Sequence, residues 1–206
     1  MRNRTLVIFI VLFCIITHLS SQRLQKYHKS NVVKPLPDIG HMLFRYKLNE
    51  EYHHVVDIIM CLFGLYALFQ INNKRTLKFM MIEILVVLFI RLISINLTIM
   101  PSSNVECRLG HSKIIANSQC NDMMFSGHTS LVFLTLLNLF YEGKIKKTTA
   151  GILMILYIAT LLTTRSHYSV DIYIAIVISF LTDAYLRGRI LNPKLRNRNY
   201  GIGTTE

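Results

Sequence analysis

Residues 120–130 read "CNDMMFSGHTS", and from Thr129 to Tyr141 the chain that follows is almost wholly apolar. Polar groups at the edge of hydrocarbon are costly unless something uses them. The cluster Ser126-Gly127-His128-Thr129, with Asp122 four residues ahead of the serine, therefore stands where a membrane helix begins and invites a functional reading. The run of about 13 residues covers, at ~1.5 Å per residue, only ~20 Å of a hydrocarbon core ~30 Å thick. The helix must begin within the polar cluster, which sets His128 slightly below the membrane surface.

The rest of the chain agrees with a membrane setting. It has 206 residues, 52% of them hydrophobic, a size that suits one domain and a composition unlike that of an ordinary soluble protein. The formal charge of +12 comes mostly from short clusters between apolar runs rather than from one helical stripe, which favours membrane orientation over nucleic-acid binding. The four cysteines show no CxxC or Cys/His metal spacing. Cys14 and Cys61 lie in apolar runs and read as core thiols, whereas Cys107 and Cys120 bracket a polar loop that could close a disulfide in an oxidising compartment.

The expected architecture is an all-α integral membrane protein, a six-transmembrane-helix bundle forming one domain over residues 1–206. Its spans are expected at about 5–19, 55–71, 79–99, 127–141, 148–164 and 170–186, with 187–206 as a basic cytosolic tail. The first run, Leu6 to Ile16, has the length of either a signal-peptide core or an anchor, and "THLSSQ" is a poor cleavage site, which favours a retained helix. In this arrangement Arg2, Arg4, Lys74, Arg75, Lys78, Lys144, Lys146, Lys147, Arg187, Arg189, Lys194, Arg196 and Arg198 share one side, against Arg23, Lys26, Lys29, Lys34, Arg45, Lys47, Arg108 and Lys113 on the other, and the first side is expected to be cytosolic. "SGHT" and the second polar cluster, "RSHYSVD" at 165–171, then meet on the other side.

Two histidines at one water-membrane boundary suggest phosphorus chemistry. His167 and Asp171 are four apart, so on a helix starting near Ser166 the carboxylate can hold the imidazole's tautomer and orientation. An imidazole so held can attack phosphorus, while the second, His128, protonates the leaving oxygen and later deprotonates the incoming one. Gly127 would let the backbone approach an anion, the free N–H groups at the helix start favour phosphate, and Arg165 could neutralise a phosphate oxygen. Ser126 and Asp122 complete the expected head-group set. Asp57, Glu83 and Arg91 are expected to form internal structural ion pairs, Glu83 and Arg91 lying about two turns apart on one helix.

"CNDMMFSGHT" together with "HYSVD" resembles the paired catalytic motifs of the sphingomyelin synthase family, a branch of the lipid phosphate phosphatase superfamily. "PLPD" at Pro35–Asp38 and "RLISINLTIMP" at Arg91–Pro101 look like two further motifs of that family in the same order. The resemblance implies transfer of a phospholipid head group, such as phosphocholine from phosphatidylcholine, to ceramide with release of diacylglycerol. It implies a phospho-histidine intermediate, His128, His167 and Asp171 as catalytic residues, and no metal or cofactor. The partners would be a phospholipid donor, a lipid acceptor and the membrane, with a homo-oligomer possible and no nucleic acid. The site would be lumenal or extracellular, in the endoplasmic reticulum, Golgi or plasma membrane. Asn121 stands where the family usually has Gly, and "TRS" precedes His167 in place of an acidic pair. Arg165 is similar to the residue in plant-type cholinephosphotransferases of the same superfamily, so diacylglycerol is an alternative acceptor. Water, which would make the protein a lipid phosphate phosphatase, is another. A lipid-binding scaffold without catalysis is the non-enzymatic alternative.

Overall fold

The computed structural model describes residues 8–9, 11–12, 15–16, 19–20, 34–45, 53–98, 100–103 and 124–190. Among them every regular element is helical: α1 (Ile39–Leu43), α2 (His53–Gln70), α3 (Lys74–Leu97), α4 (Gly127–Tyr141), α5 (Lys147–Thr163) and α6 (Ser169–Ile190). The described residues of the first apolar run are also helical, and Ile8, Phe9, Val11, Leu12, Ile15, Ile16 and Leu19 are exposed.

The sequence sets the helix ends locally. The Asn73 side chain accepts from Arg75 N to cap α3, and Ser126 Oγ accepts from Thr129 N to cap α4. At the end of α4, Gly143 takes φ +67°, with Gly143 N bonded to Phe140 O and Lys144 N to Leu139 O. This is a Schellman closure with glycine in the left-handed position. The same closure ends α5, where Arg165 N bonds to Leu162 O and Ser166 N to Leu161 O, but the left-handed residue is Arg165, at φ +54°. A side chain there is strained, so the neighbourhood must hold it.

Helix α4 is central. It packs against α2, α3, α5 and α6, and buries Thr129, Ser130, Val132, Leu134, Thr135, Leu136, Asn138 and Leu139. Small side chains such as Thr129, Ser130 and Thr135 let neighbouring backbones approach closely. Val132 and Leu136 join Val56, Tyr157, Leu161 and Ile172 in the main core, while Leu134 meets Val87, Phe125 and Ala175 on the other side.

Two helices, Lys74–Leu97 and Ser169–Arg189, are long and apolar enough to cross a membrane; the other three long helices are apolar but shorter. Their outward faces carry Leu62, Leu65, Phe69, Phe89, Ile155, Tyr173 and Phe180, all exposed. Helices that are apolar all round suit a lipid surround. Cys61 differs from its expected place in a core: it is exposed, because an all-apolar helix gives no periodic sign of which face turns inward.

The charged residues inside the bundle also differ from the expected ion pairs. Asn138 Nδ2 donates to Glu83 Oε2 (2.7 Å), and Arg187, salt-bridged to Asp183 (2.6 Å), donates to Asn138 Oδ1 (3.3 Å). The Arg187 guanidinium lies over the rings of Tyr141 (3.8 Å) and Phe79 (4.7 Å). Asp57 and Arg91 belong instead to the other end of the bundle.

Candidate functional site

The N-terminus of α4 meets the first turn of α6 directly. Ser126 N donates to the carbonyl of Asp171 (3.3 Å), which brings the two polar clusters of the sequence together. The rings of His128 and His167 lie 5.7 Å apart, centre to centre, and are tilted by 58°.

Each imidazole has a carboxylate behind it. His167 Nδ1 faces Asp171 Oδ2 at 3.6 Å, and both residues are buried. Asp171 is fixed in turn because its Oδ2 accepts from Tyr168 N (3.1 Å), a carboxylate in the first turn of α6 reaching back to the residue before the helix. Nδ1 is thereby turned toward the carboxylate, and Nε2 is the nitrogen left for chemistry. Burial holds the His167 pKa below the ordinary histidine value, the charges of His128 and Arg91 act the same way, and Asp171 opposes them. The ring is neutral, and so nucleophilic, at neutral pH.

His128 Nε2 meets Asp57 Oδ1 at 2.6 Å. This partner was missed in the sequence, where a single carboxylate in an apolar helix, 71 residues away, gives no sign of its contact. Arg91, expected in an internal ion pair, also lies at this end. Its Nε donates to Phe125 O (3.0 Å), and it crosses Gly127 so closely that a Cβ there would lie 2.9 Å from Nε. Gly127 thus makes room for a guanidinium.

Arg165 does not turn toward the two rings. Its Nη2 donates to the carbonyls of His41 (3.0 Å) and Phe44 (3.1 Å), and its own carbonyl accepts from Ser103 Oγ (2.6 Å). The left-handed backbone that ends α5 sends the side chain back toward segment 34–45, so Arg91 is the cation beside the imidazoles. Ser126 is buried, its Oγ accepting from Thr129 N (3.1 Å) and Thr129 Oγ1 (2.8 Å), which assigns it to the cap of α4. Asp122, Cys107 and Cys120 lie outside the described residues.

A buried and a half-buried imidazole, each with a carboxylate partner, and a nearby guanidinium can bind a phosphate ester, attack it and exchange protons with its oxygens. Residues 119–187 match the family model described as PAP2 superfamily, C-terminal. The match covers 69 of the 206 residues; members of this superfamily are lipid phosphate phosphatases and phosphotransferases that act on lipid substrates in membranes, and the two helices long and apolar enough to cross a membrane agree with such a setting. No curated protein matches the chain.

Proposed function

We propose that the protein is a lipid phosphotransferase that moves a phospholipid head group to a second lipid through a phospho-histidine intermediate, as sphingomyelin synthases do. The observation that carries this reading is the pair of imidazoles 5.7 Å apart, each backed by its own carboxylate, Asp57 for His128 and Asp171 for His167. Hydrolysis of a phosphate ester uses such groups too, so the acceptor decides between transferase and phosphatase.

In the first half-reaction His167 Nε2 attacks the phosphorus of the donor. A P–N bond forms, the P–O bond to diacylglycerol breaks, and protonated His128 gives its proton to the departing alkoxide. Since Nε2 of His128 is held by Asp57, that proton passes through Nδ1. Arg91 balances the charge on the non-bridging oxygens. In the second half the acceptor hydroxyl loses its proton to His128, its oxygen attacks phosphorus, and the P–N bond breaks, restoring His167.

A lipid acceptor is favoured because His167 is only 3% exposed and the surrounding helices present apolar faces. Phosphatidylcholine as donor and ceramide as acceptor follow from the likeness to sphingomyelin synthases; diacylglycerol as acceptor is the second reading. A six-span bundle with the site on the non-cytosolic face is the arrangement proposed. The test supplies membranes containing the protein with labelled ceramide, labelled diacylglycerol and a panel of phospholipid donors, and identifies the products by mass. Transfer gives new head-group-bearing lipid in step with diacylglycerol. A product mixture dominated by water-soluble head group or inorganic phosphate makes the protein a hydrolase instead.

A further inference from the structure

Segment 34–45 takes no part in the chemistry above, yet it is tied throughout to the loop that carries His167. Ser169 N donates to Asp38 Oδ2 (2.8 Å) and Ser169 Oγ to Asp38 Oδ1 (2.8 Å), so one carboxylate caps the first turn of α6 two residues beyond His167. Gly40 N donates to the same Ser169 Oγ (3.0 Å), and a Cβ on Gly40 would lie 2.2 Å from that oxygen. His41 Nε2 donates to the carbonyl of His167 (3.0 Å). The Tyr168 hydroxyl accepts from Leu36 N (3.0 Å) and donates to Ser102 O (3.1 Å). Arg165 reaches back to the carbonyls of His41 and Phe44. A helix of five residues has no stability of its own, so α1 owes its order to these bonds.

We infer that segment 34–45 is a clasp that positions the nucleophile, with Asp38 as its central positioning residue. The inference rests on the reading of His167 given above. The clasp holds His167 by its carbonyl, Tyr168 by its hydroxyl and Ser169 by its N–H. Tyr168 N is also the group that fixes Asp171, so the clasp sets how closely the carboxylate of Asp171 approaches His167 Nδ1. It also assigns Asp38 to the protein rather than to the cationic end of a lipid head group. Asp38 Oδ1 accepts from His41 N (2.9 Å) and Ser169 Oγ, and Oδ2 accepts from Ser169 N, so both oxygens are engaged within the fold. Burial would raise the pKa of this carboxyl, but its bonds from His41 and Ser169 outweigh burial and hold it below the ordinary value, ionised at neutral pH.

The test uses the full chain in lipid nanodiscs with the best donor and acceptor of the panel above, comparing wild type, Asp38→Ala, Asp38→Asn, His41→Phe and His167→Ala. Asp38→Ala is expected to lower kcat roughly 10- to 100-fold, as a small misplacement of a reacting group does, at an unchanged KM for the donor. The groups facing His167 are Asp171 from α6, His128 from α4 and Arg91 from α3. Only the approach of Asp171 is loosened by the change, so the acid limb of kcat/KM should move to lower pH. Asp38→Asn keeps one acceptor oxygen and should recover part of the rate. His41→Phe keeps a ring against Tyr168 but loses the bond to the His167 carbonyl, and should lower kcat in the same direction by less. Wild-type kcat and acid limb in Asp38→Ala overturn the inference, as does a raised KM at unchanged kcat, which would make Asp38 a head-group ligand. If Asp38→Ala does not fold, the Asn and His41 variants decide by the same readouts. An active His167→Ala strikes at the reading of the site itself; an inactive one beside an unaltered clasp variant strikes only at the clasp.

Discussion

Replacing Asp57 tests whether the carboxylate behind His128 belongs to the chemistry. Its Oδ1 is 2.6 Å from His128 Nε2, and the two side chains are only 12% and 13% exposed, so little water is at hand to substitute for the bond. A hydrogen bond to a charged group contributes about 1.5–3 kcal/mol, and each ~1.4 kcal/mol is tenfold in rate or equilibrium. If the imidazolium that donates to the leaving oxygen needs that bond, Asp57→Ala should lower kcat by roughly 10- to 150-fold. Asp57→Asn keeps the shape and an acceptor oxygen but not the charge. It should fall between Asp57→Ala and wild type if acceptance of the His128 proton is what matters, and match Asp57→Ala if the charge is. The assay is head-group transfer in nanodiscs at saturating donor, with thermal stability measured on the same samples to separate folding from rate. Full activity in a folded Asp57→Ala would refute the reasoning.

Other outcomes follow from the same geometry. Gly127→Ala puts a methyl 2.9 Å from Arg91 Nε, and because that nitrogen is tied to Phe125 O, the guanidinium should be displaced. The donor KM should then rise, or kcat fall, by about tenfold or more, with little change in melting temperature, as activity and melting curves of the variant will show. Since burial holds His167 below the ordinary histidine value, the limb of kcat/KM that reports protonation of this nucleophile should lie on the acid side of about 6.5. The sign for stability follows: the unfolded chain takes up this proton more readily than the folded one, so the contribution of His167 is full above about 6.5 and is lost as pH falls below that value. Denaturation midpoints measured across this range check it. At the other end of the bundle, Arg187→Ala leaves Asp183, 2% exposed, without its cation. A loss of about 3 kcal/mol or more in stability is expected from stranding a buried charge, with turnover of the folded fraction retained.

The sequence made the two polar clusters legible because a histidine at the start of an apolar helix, unlike the serine and aspartate that cap such starts, has few structural reasons to be there. His167 and Asp171 were expected to share a face of a helix starting near Ser166, but α6 starts at Ser169, so His167 precedes the helix and Asp171 faces it from the first turn. Asp57 and Arg91 were not legible as site residues because their partners are set by packing between helices. Glu83 and Arg91 sit eight residues apart on α3, so the rise along the helix separates them by about 12 Å. One meets the last turns of α4, at Asn138, and the other meets its first residue, Gly127. The direction of Arg165 depends on a left-handed backbone at the end of α5, where the sequence carries no glycine to announce it. The outward turn of Cys61 was hidden by the uniform apolarity of α2.

The central claim is that His167 carries the head group between donor and acceptor, and trapping that species tests it most directly. Protein in nanodiscs is mixed with a phospholipid donor labelled in its head group, without acceptor, quenched in base to preserve a P–N bond, digested and mapped by mass. The account predicts one equivalent or less of diacylglycerol released in a burst and the head-group phosphoryl mass on the peptide containing His167. Label should be discharged on adding acceptor lipid, and both burst and adduct should be absent in His167→Ala. Steady turnover with no adduct on His167, or an adduct and transfer that persist in His167→Ala, would contradict it.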